Sequence, residues 1–277
     1  MAMTDNSLDN LTNINVNNYA DNHSDNCSDS LPTHQEIWQN TLSWQPTSEQ
    51  QAKFQRIYQL LKIANQKVNL TRIVSPDDFW EKHLWDSLAG ICFLGQNFPD
   101  FLLAGKVIDI GTGAGFPGLP VAIYLGANCQ TVLLDSTQKK LNFINTVLED
   151  LQINYVTTLA GRVEAIARTL QQRESYQLCL IRAVANVAVC AEYVLPLLKI
   201  NGMAILYRGN WTAEEADDLD KVSKILGGKI VHVHSFHTPL SESQRHCIYL
   251  QKVAPTASKY PRSVGIPSHQ PLNLSEN

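Results

Sequence analysis

Lys106 to Leu119 reads K-V-I-D-I-G-T-G-A-G-F-P-G-L. A short β-branched run carries Asp109 near its end, and glycines at 111, 113 and 115 follow it before a helical pattern, as where a parallel strand passes into a nucleotide-cradling loop. Gly111 and Gly113 let the backbone turn tightly, and Gly115 lets a ligand or the next helix come close. In a dinucleotide fold the string is G-x-G-x-x-G, and helix N–H groups face a pyrophosphate. Here the string is G-x-G-x-G, then Phe116 and Pro117, with Pro117 where a first helical turn tolerates a missing donor. That spacing suits an adenosine–methionine ligand better than a dinucleotide, although the loop alone leaves the cofactor open.

A second group of residues extends this pocket. Gln130 to Leu134 is a largely apolar run that stops at Asp135, and an acid at such a strand end accepts hydrogen bonds from ribose hydroxyls. The alternative for Asp135 is the start of a helix with Ser136 and Thr137. Tyr155 to Leu159 ends in A-G-R-V-E, where Val163 and Glu164 are placed to flank an adenine edge; Glu164 alone reads as a first-turn helix acid. His83, Asp86 and Ser87 project from one side of a helix, with Phe79 one turn earlier, either at the mouth of the cleft or as a capped surface histidine. Arg182 and Arg208 fall at strand ends, where dehydrating two guanidiniums is costly unless an anion or a salt bridge receives them. Arg182 suits a phosphate or the methionine carboxylate, and Arg208 a substrate phosphate.

The elements that must position these groups alternate. Helical spacing runs from Ser48, an N-cap candidate, to about Asn65, and again from Ser75-Pro-Asp-Asp78 to about Leu88. Beyond the third strand come a strand at Tyr176 to Ile181, a helix at Val187 to Leu198, a strand at Gly202 to Tyr207 and a helix at Thr212 to Leu226. Lys229 to Ser235 and His246 to Val253 are then two strands with no room for a helix between them. The succession predicts an α/β, Rossmann-like, mostly parallel sheet ending in an antiparallel strand, preceded by an N-terminal helical extension. The expected divisions are a disordered acidic tail over 1–35, the extension over 36–102, the catalytic domain over 103–255 and a basic, proline-containing segment over 256–277.

Composition bounds the reading. The 277 residues are 44% apolar, enough for a substantial core, and no run is long enough to span hydrocarbon. The N-terminus lacks the basic and apolar regions of a signal peptide, and six cysteines without C-x-x-C spacing predict reduced, buried thiols. A cytoplasmic protein with no metal site is expected. The net charge is −4, but five aspartates and no lysine or arginine lie in the first 35, so the remainder is close to neutral. From Ser243 to Ser275 there is no acid, while Arg245, Lys252, Lys259 and Arg262 occur, a modest basic patch compatible with a phosphate surface or with an ordinary solvated segment.

The chain resembles the RsmG family, once called the glucose-inhibited division protein B family. The resemblance rests on N-L-T-R at 69–72, H-L-W-D-S-L at 83–88, V-I-D-I-G-T-G-A-G-F-P-G-L-P at 107–120, L-L-D-S at 133–136, G-R-V-E at 161–164, R-A-V-A at 182–185, and Y-P-R, G-I-P and P-L between 260 and 272. It covers about 36–272. It implies a class I methyltransferase that uses S-adenosylmethionine to methylate N7 of a guanine in 16S ribosomal RNA, within the small subunit or an assembly precursor, as a monomer. It also places Gly111 and Phe116 at the cofactor loop (to which the motif itself adds Asp109 and Gly113), Asp135 near the ribose, Val163 and Glu164 beside the adenosine, and Arg182 in the cleft. Asn69, Arg72, His83, Asp86, Arg208 and Arg262 are substrate-side candidates, with Lys82 and Lys259 as further phosphate contacts. Members generally carry lysine where this chain has Arg208, and a closing segment richer in lysine.

Guanine N7 owns an in-plane lone pair, so methyl transfer to it requires no proton removal and no catalytic residue is assigned. His83 as a general base is disfavoured for the same reason. Two other functions share the cofactor loop: a small-molecule methyltransferase, and a noncatalytic RNA-binding or assembly protein. A nicotinamide dehydrogenase is the weakest alternative, because the glycine spacing differs and no tyrosine–lysine pair is evident.

Overall fold

Apolar runs too short for helices become the strands. In the computed structural model, which describes residues 30–66, 69–98, 101 and 105–272, they are β1 (Gly105–Ile110), β2 (Cys129–Asp135), β3 (Val156–Ala160), β4 (Tyr176–Arg182), β5 (Leu198–Arg208), β6 (Gly228–His237) and β7 (Gln244–Lys252). They form one sheet in the order β3-β2-β1-β4-β5-β7-β6. The first five are parallel, and β7 runs antiparallel to both β5 and β6. The expected antiparallel hairpin is thus present, with the later strand inserted and β6 at the edge. Leu178 to Ile181 and Met203 to Tyr207 are buried without alternation, as strands covered on both faces must be. Strand order reverses between β1 and β4, which opens a crevice beyond the carboxyl ends of the strands.

The helices that cover the sheet begin with α1 (Gln35–Leu42) and α2 (Ser48–Asn65). The cap of α2 is Thr47 rather than Ser48: its hydroxyl accepts from Gln50 N–H while the Gln50 side chain accepts from Thr47 N–H. Next, α3 (Pro76–Phe79), capped by Ser75, runs into a π-helical stretch, Trp80–Trp85, and then α4 (Asp86–Asn97), well past the expected end near Leu88. This layer is fixed to the sheet by two strand tyrosines, Tyr207 donating to Ser87 O at 2.9 Å and Tyr249 to Gly90 O at 2.8 Å.

Along the sheet follow α5 (Gly118–Leu125), α6 (Gln138–Asp150), α7 (Val163–Ile166), α8 (Val187–Val194), α9 (Ala213–Ile225) and α10 (Ile266–His269). The helix expected to reach Leu198 stops at Val194, before Pro196, and Leu198 already opens β5.

Most of the expected tail, residues 1–29 with Cys27, lies outside the described residues. Residues 31–35 belong to the folded part, since Leu31 is buried and its N–H donates to Gln55 Oε1 at 2.7 Å. The other five cysteines are buried free thiols. Among the described residues no helix is long and apolar enough to cross a membrane.

Candidate functional site

The glycine loop is held from within. Gly111 and Thr112 N–H donate to Leu134 O at 2.8 and 3.0 Å, Gly113 N–H to Asp135 Oδ2 at 2.9 Å, and Gly115 and Phe116 N–H to Thr112 O. Asp109 Oδ2 accepts from Thr112 Oγ1 at 2.6 Å and from Gly118 N–H at 2.8 Å, tying β1 to the start of α5. Asp109 is fully buried, and burial pushes its carboxyl up to about 6. It therefore props the loop and does not line the cleft. The N–H groups of Gly111, Thr112, Gly113, Gly115 and Phe116 have partners within the protein, so they do not form a phosphate cradle of the dinucleotide type. Gly111 has φ +69°, and a Cβ there would sit 2.6 Å from Val184 Cγ2. At Gly115 a Cβ would meet Leu119 Cδ1 at 2.4 Å, so the close approach is to α5.

A cavity of about 350 Å³ opens at the ends of β1, β2 and β3, lined by Gly111, Asp135, Gly161, Val163, Val184 and Tyr193 and reached by Ser268 of α10. Asp135 Oδ1 also accepts from Thr137 N–H at 2.8 Å, and Lys140 Nζ lies 3.8 Å from Oδ2. Each carboxylate oxygen thus accepts one backbone N–H, that of Thr137 marking the start of the next helix, and retains a further lone pair. Val163 forms a wall. Glu164 does not line this cavity: it is buried, and its Oε1 accepts from Gly265 N–H at 3.0 Å, Tyr193 OH at 3.2 Å and Arg162 at 3.2 Å. Burial works to raise its carboxyl, but the bonds from Gly265 N–H and Arg162 outweigh that and hold it below the ordinary range. Through Oε1, Glu164 thus clasps the C-terminal segment. Phe116 belongs to the loop, yet its ring stacks on His83, centroids 4.2 Å apart, instead of facing the cavity.

A second cavity, about 420 Å³, lies at the ends of β4 and β5 and is lined by Asp86, Arg182, Tyr207, Arg208, Asn210 and Arg245, among others. Ala183 lines this cavity and Val184 the first, so consecutive residues separate them. Ala183 has φ +56°, a left-handed conformation that non-glycine residues adopt at a cost and that concentrates at functional sites. Arg182 donates to Lys82 O at 2.8 Å and to Asp86 Oδ2 at 3.1 Å, while Arg245 Nε stands 3.6 Å from Asp86 Oδ1. Burial raises the Asp86 carboxyl above its ordinary range, with the two arginines opposing. The tip of the β6–β7 hairpin is fixed by Glu81, buried in the π-helical stretch, whose Oε1 accepts Leu240 N–H at 2.5 Å and Ser241 N–H at 2.9 Å.

Other expectations change. His83 is buried, Nε2 lies 3.1 Å from Thr71 Oγ1, and burial with the nearby Arg182 and Lys82 charges lowers its pKa to about 3. It is a neutral packing partner of Phe116, not a surface histidine. Arg208 donates to Ala185 O at 3.0 Å and to Glu215 Oε1 at 2.5 Å, so its charge is matched by a carboxylate rather than waiting for a phosphate. Asn69 and Arg72 are exposed, next to the Thr71 that meets His83, and Lys82 pairs with Asp78 at 2.6 Å.

The basic patch largely dissolves. Lys252 is fully buried against Leu195 O and Thr256, Arg245 faces Asp86, and Arg262 is spent on the buried Glu192; Lys259 alone of the four is exposed. Arg262 is thus a structural clasp. Sequence reasoning missed Glu81, Glu192, Tyr193 and Ser268, whose partners lie far away in the chain, and noted Arg245 only as a charge.

A family model described as rRNA small subunit methyltransferase G matches residues 50–248. A protein named ribosomal RNA small subunit methyltransferase G from Trichodesmium erythraeum (strain IMS101) is 56% identical over 242 residues, covering 87% of this chain and 94% of its own. Namesakes from Nostoc punctiforme (strain ATCC 29133 / PCC 73102) and Nostoc sp. (strain PCC 7120 / SAG 25.82 / UTEX 2576) are 53% and 51% identical, each covering 87% of this chain and 98% of its own. The chain belongs to the rRNA small subunit methyltransferase G family, the RsmG (GidB) family.

Proposed function

We propose that this protein transfers the methyl group of S-adenosylmethionine to N7 of a guanine in 16S ribosomal RNA. The observation that carries the reading is the pair of adjoining cavities at the strand ends, one walled by the glycine loop and Asp135, the other by Asp86, Arg182 and Arg245. The first fits an adenosine ligand without a pyrophosphate: Asp135 offers a carboxylate for two ribose hydroxyls, Val163 an apolar wall, and the loop no free row of N–H donors. Bound there, S-adenosylmethionine supplies a methyl group on a positively charged sulfur, an electrophile for a nitrogen lone pair.

The residues of this chain then orient and stabilise. As the guanine N7 lone pair forms the new bond to the methyl carbon, the carbon–sulfur pair returns to sulfur, and positive charge moves to the purine without any proton transfer. A neutral, buried His83 suits that balance, since no base is required. Tyr207, which lines the second cavity, keeps its proton, because burial drives its phenol well upward. The exposed Asn69, Arg72 and Lys259 are the remaining candidates for backbone phosphates. The substrate under this reading is the small subunit or an assembly precursor, the enzyme is a monomer and the compartment is the cytoplasm.

The test is methyl transfer from labelled S-adenosylmethionine to unmodified small ribosomal subunits, with free guanine nucleotides in parallel. Label in subunit RNA and none in nucleotides is expected. Label in nucleotides alone would establish a small-molecule enzyme, and cofactor binding without transfer to either would favour a noncatalytic assembly protein.

A further inference from the structure

N7 is present in both guanine and adenine, so aligning it with a methyl donor cannot tell the two purines apart. The distinction lies on the opposite edge, where guanine presents two adjacent donors, N1–H and the N2 amine, and adenine presents an N1 lone pair. A carboxylate is the side-chain group that accepts both donors at once and repels that lone pair. The second cavity contains two carboxylates, Asp86 and Glu215.

They are not equivalent. Both Glu215 oxygens are engaged, Oε1 by Arg208 at 2.5 Å and Oε2 by Thr212 N–H at 3.3 Å, and the side chain is 26% exposed. Asp86 is more than nine-tenths buried, and Oδ2 takes a single guanidinium bond from Arg182. Its Oδ1 has only the longer 3.6 Å contact with Arg245, which leaves lone pairs on both oxygens. The two arginines hold the carboxylate, and their unused N–H groups suit the guanine O6 acceptor.

Resting on the function proposed above, we propose that Asp86 determines the choice of guanine by accepting N1–H and the N2 amine of the target base, with Arg182 and Arg245 as its positioning residues. The same contact strengthens during reaction. As N7 gains the methyl group the purine becomes positive, N1–H becomes a better donor, and the carboxylate holds the transition state more tightly than the ground state.

The experiment compares small subunits reconstituted with 16S RNA carrying guanine or inosine at the methylated position. Inosine keeps N7, O6 and N1–H and lacks only the N2 amine. For the unaltered protein, kcat/KM should be about 10- to 100-fold higher for guanine, the discrimination expected of a paired contact. In Asp86→Asn, whose amide accepts one donor and opposes the other, the preference should fall within about threefold of unity or reverse, with S-adenosylmethionine affinity within about threefold of the parent. Equal rates on guanine and inosine by the unaltered protein would overturn the inference without recourse to a variant, as would an Asp86→Asn protein that keeps the full preference. A parent protein that binds S-adenosylmethionine yet methylates neither subunit would instead overturn the function itself.

Discussion

Arg262→Ala tests whether the C-terminal segment is a wall of the cofactor site or a solvated basic tail. Glu192, fully buried in α8, accepts four contacts from one residue: Arg262 N–H at 2.7 Å, Nε at 3.0 and 3.1 Å to the two oxygens, and one terminal nitrogen at 2.7 Å. Removing the guanidinium leaves a buried carboxylate with a single backbone donor. One-sided loss of a buried ion pair costs about 3–5 kcal/mol. The Arg262 side chain is 23% exposed and water reaches part of the gap, so a cost of about 2–3 kcal/mol is expected here. At about 2–4 °C per kcal/mol for a chain of this size, the melting temperature should fall by about 5–10 °C.

The same segment carries Gly265 onto Glu164 and Ser268 onto Tyr193, where Ser268 lines the first cavity. If loosening leaves the segment closed in about one molecule in ten, apparent S-adenosylmethionine affinity drops about tenfold. Thermal denaturation by circular dichroism and calorimetric titration with S-adenosylmethionine read the two effects, with Lys259→Ala as an exposed control. Replacing both partners, Arg262→Met with Glu192→Leu, should recover part of the stability because no buried charge is stranded. A melting temperature within 1 °C of the parent together with unchanged cofactor affinity would refute the reasoning.

Three further outcomes follow from the same geometry. Gly111→Ala combines a left-handed backbone, about 1–2 kcal/mol for a residue with a Cβ, with the 2.6 Å clash against Val184; S-adenosylmethionine binding should weaken at least about tenfold, and normal calorimetric binding would contradict this. His83 should remain neutral down to about pH 4 in nitrogen-15 imidazole spectra, since its pKa is lowered to about 3, whereas a midpoint near 6.5 would show it solvated. Because the unfolded chain takes up the His83 proton near pH 6.5 and the folded one only near 3, its contribution to stability is intact above that window and is lost as pH falls through it, at about 1.4 kcal/mol per pH unit. For RNA, Lys259→Ala should flatten the dependence of log affinity on log salt by about 0.7–0.9, and Arg262→Ala, already neutralised by Glu192, should leave that slope unchanged.

Local patterns in the sequence carried the frame. The run ending in Asp109, the glycines after it and Asp135 at the next strand end fix a strand–loop–helix unit within a short stretch of chain, and periodicity over Ser48–Asn65 marks a helix that the structure reproduces. Pro196 is the local signal that ends α8 at Val194, short of the helix expected to Leu198. The roles of charged residues were harder to read, because they depend on partners distant in sequence. Asp86 meets Arg182 across 96 positions, Arg262 meets Glu192 across 70 and Gly265 meets Glu164 across 101. No spacing rule covers such distances, so Arg262 and Lys252 read as surface cations although one is clasped and the other fully buried. Glu164 likewise gives no local sign that Gly265 and Arg162 donate to its Oε1.

The most direct test of the account is the identity of the methylated atom. Unmodified small subunits are incubated with the protein and isotopically labelled S-adenosylmethionine, and the 16S RNA is digested and mapped by mass spectrometry. The account predicts one 7-methylguanosine at a single position, with Asp135→Asn lowering its yield through weaker cofactor binding. Methylation of an exocyclic nitrogen, a ribose hydroxyl or an adenine would contradict it, because the first two must lose a proton on methylation and an adenine presents no N1–H and N2 amine to Asp86.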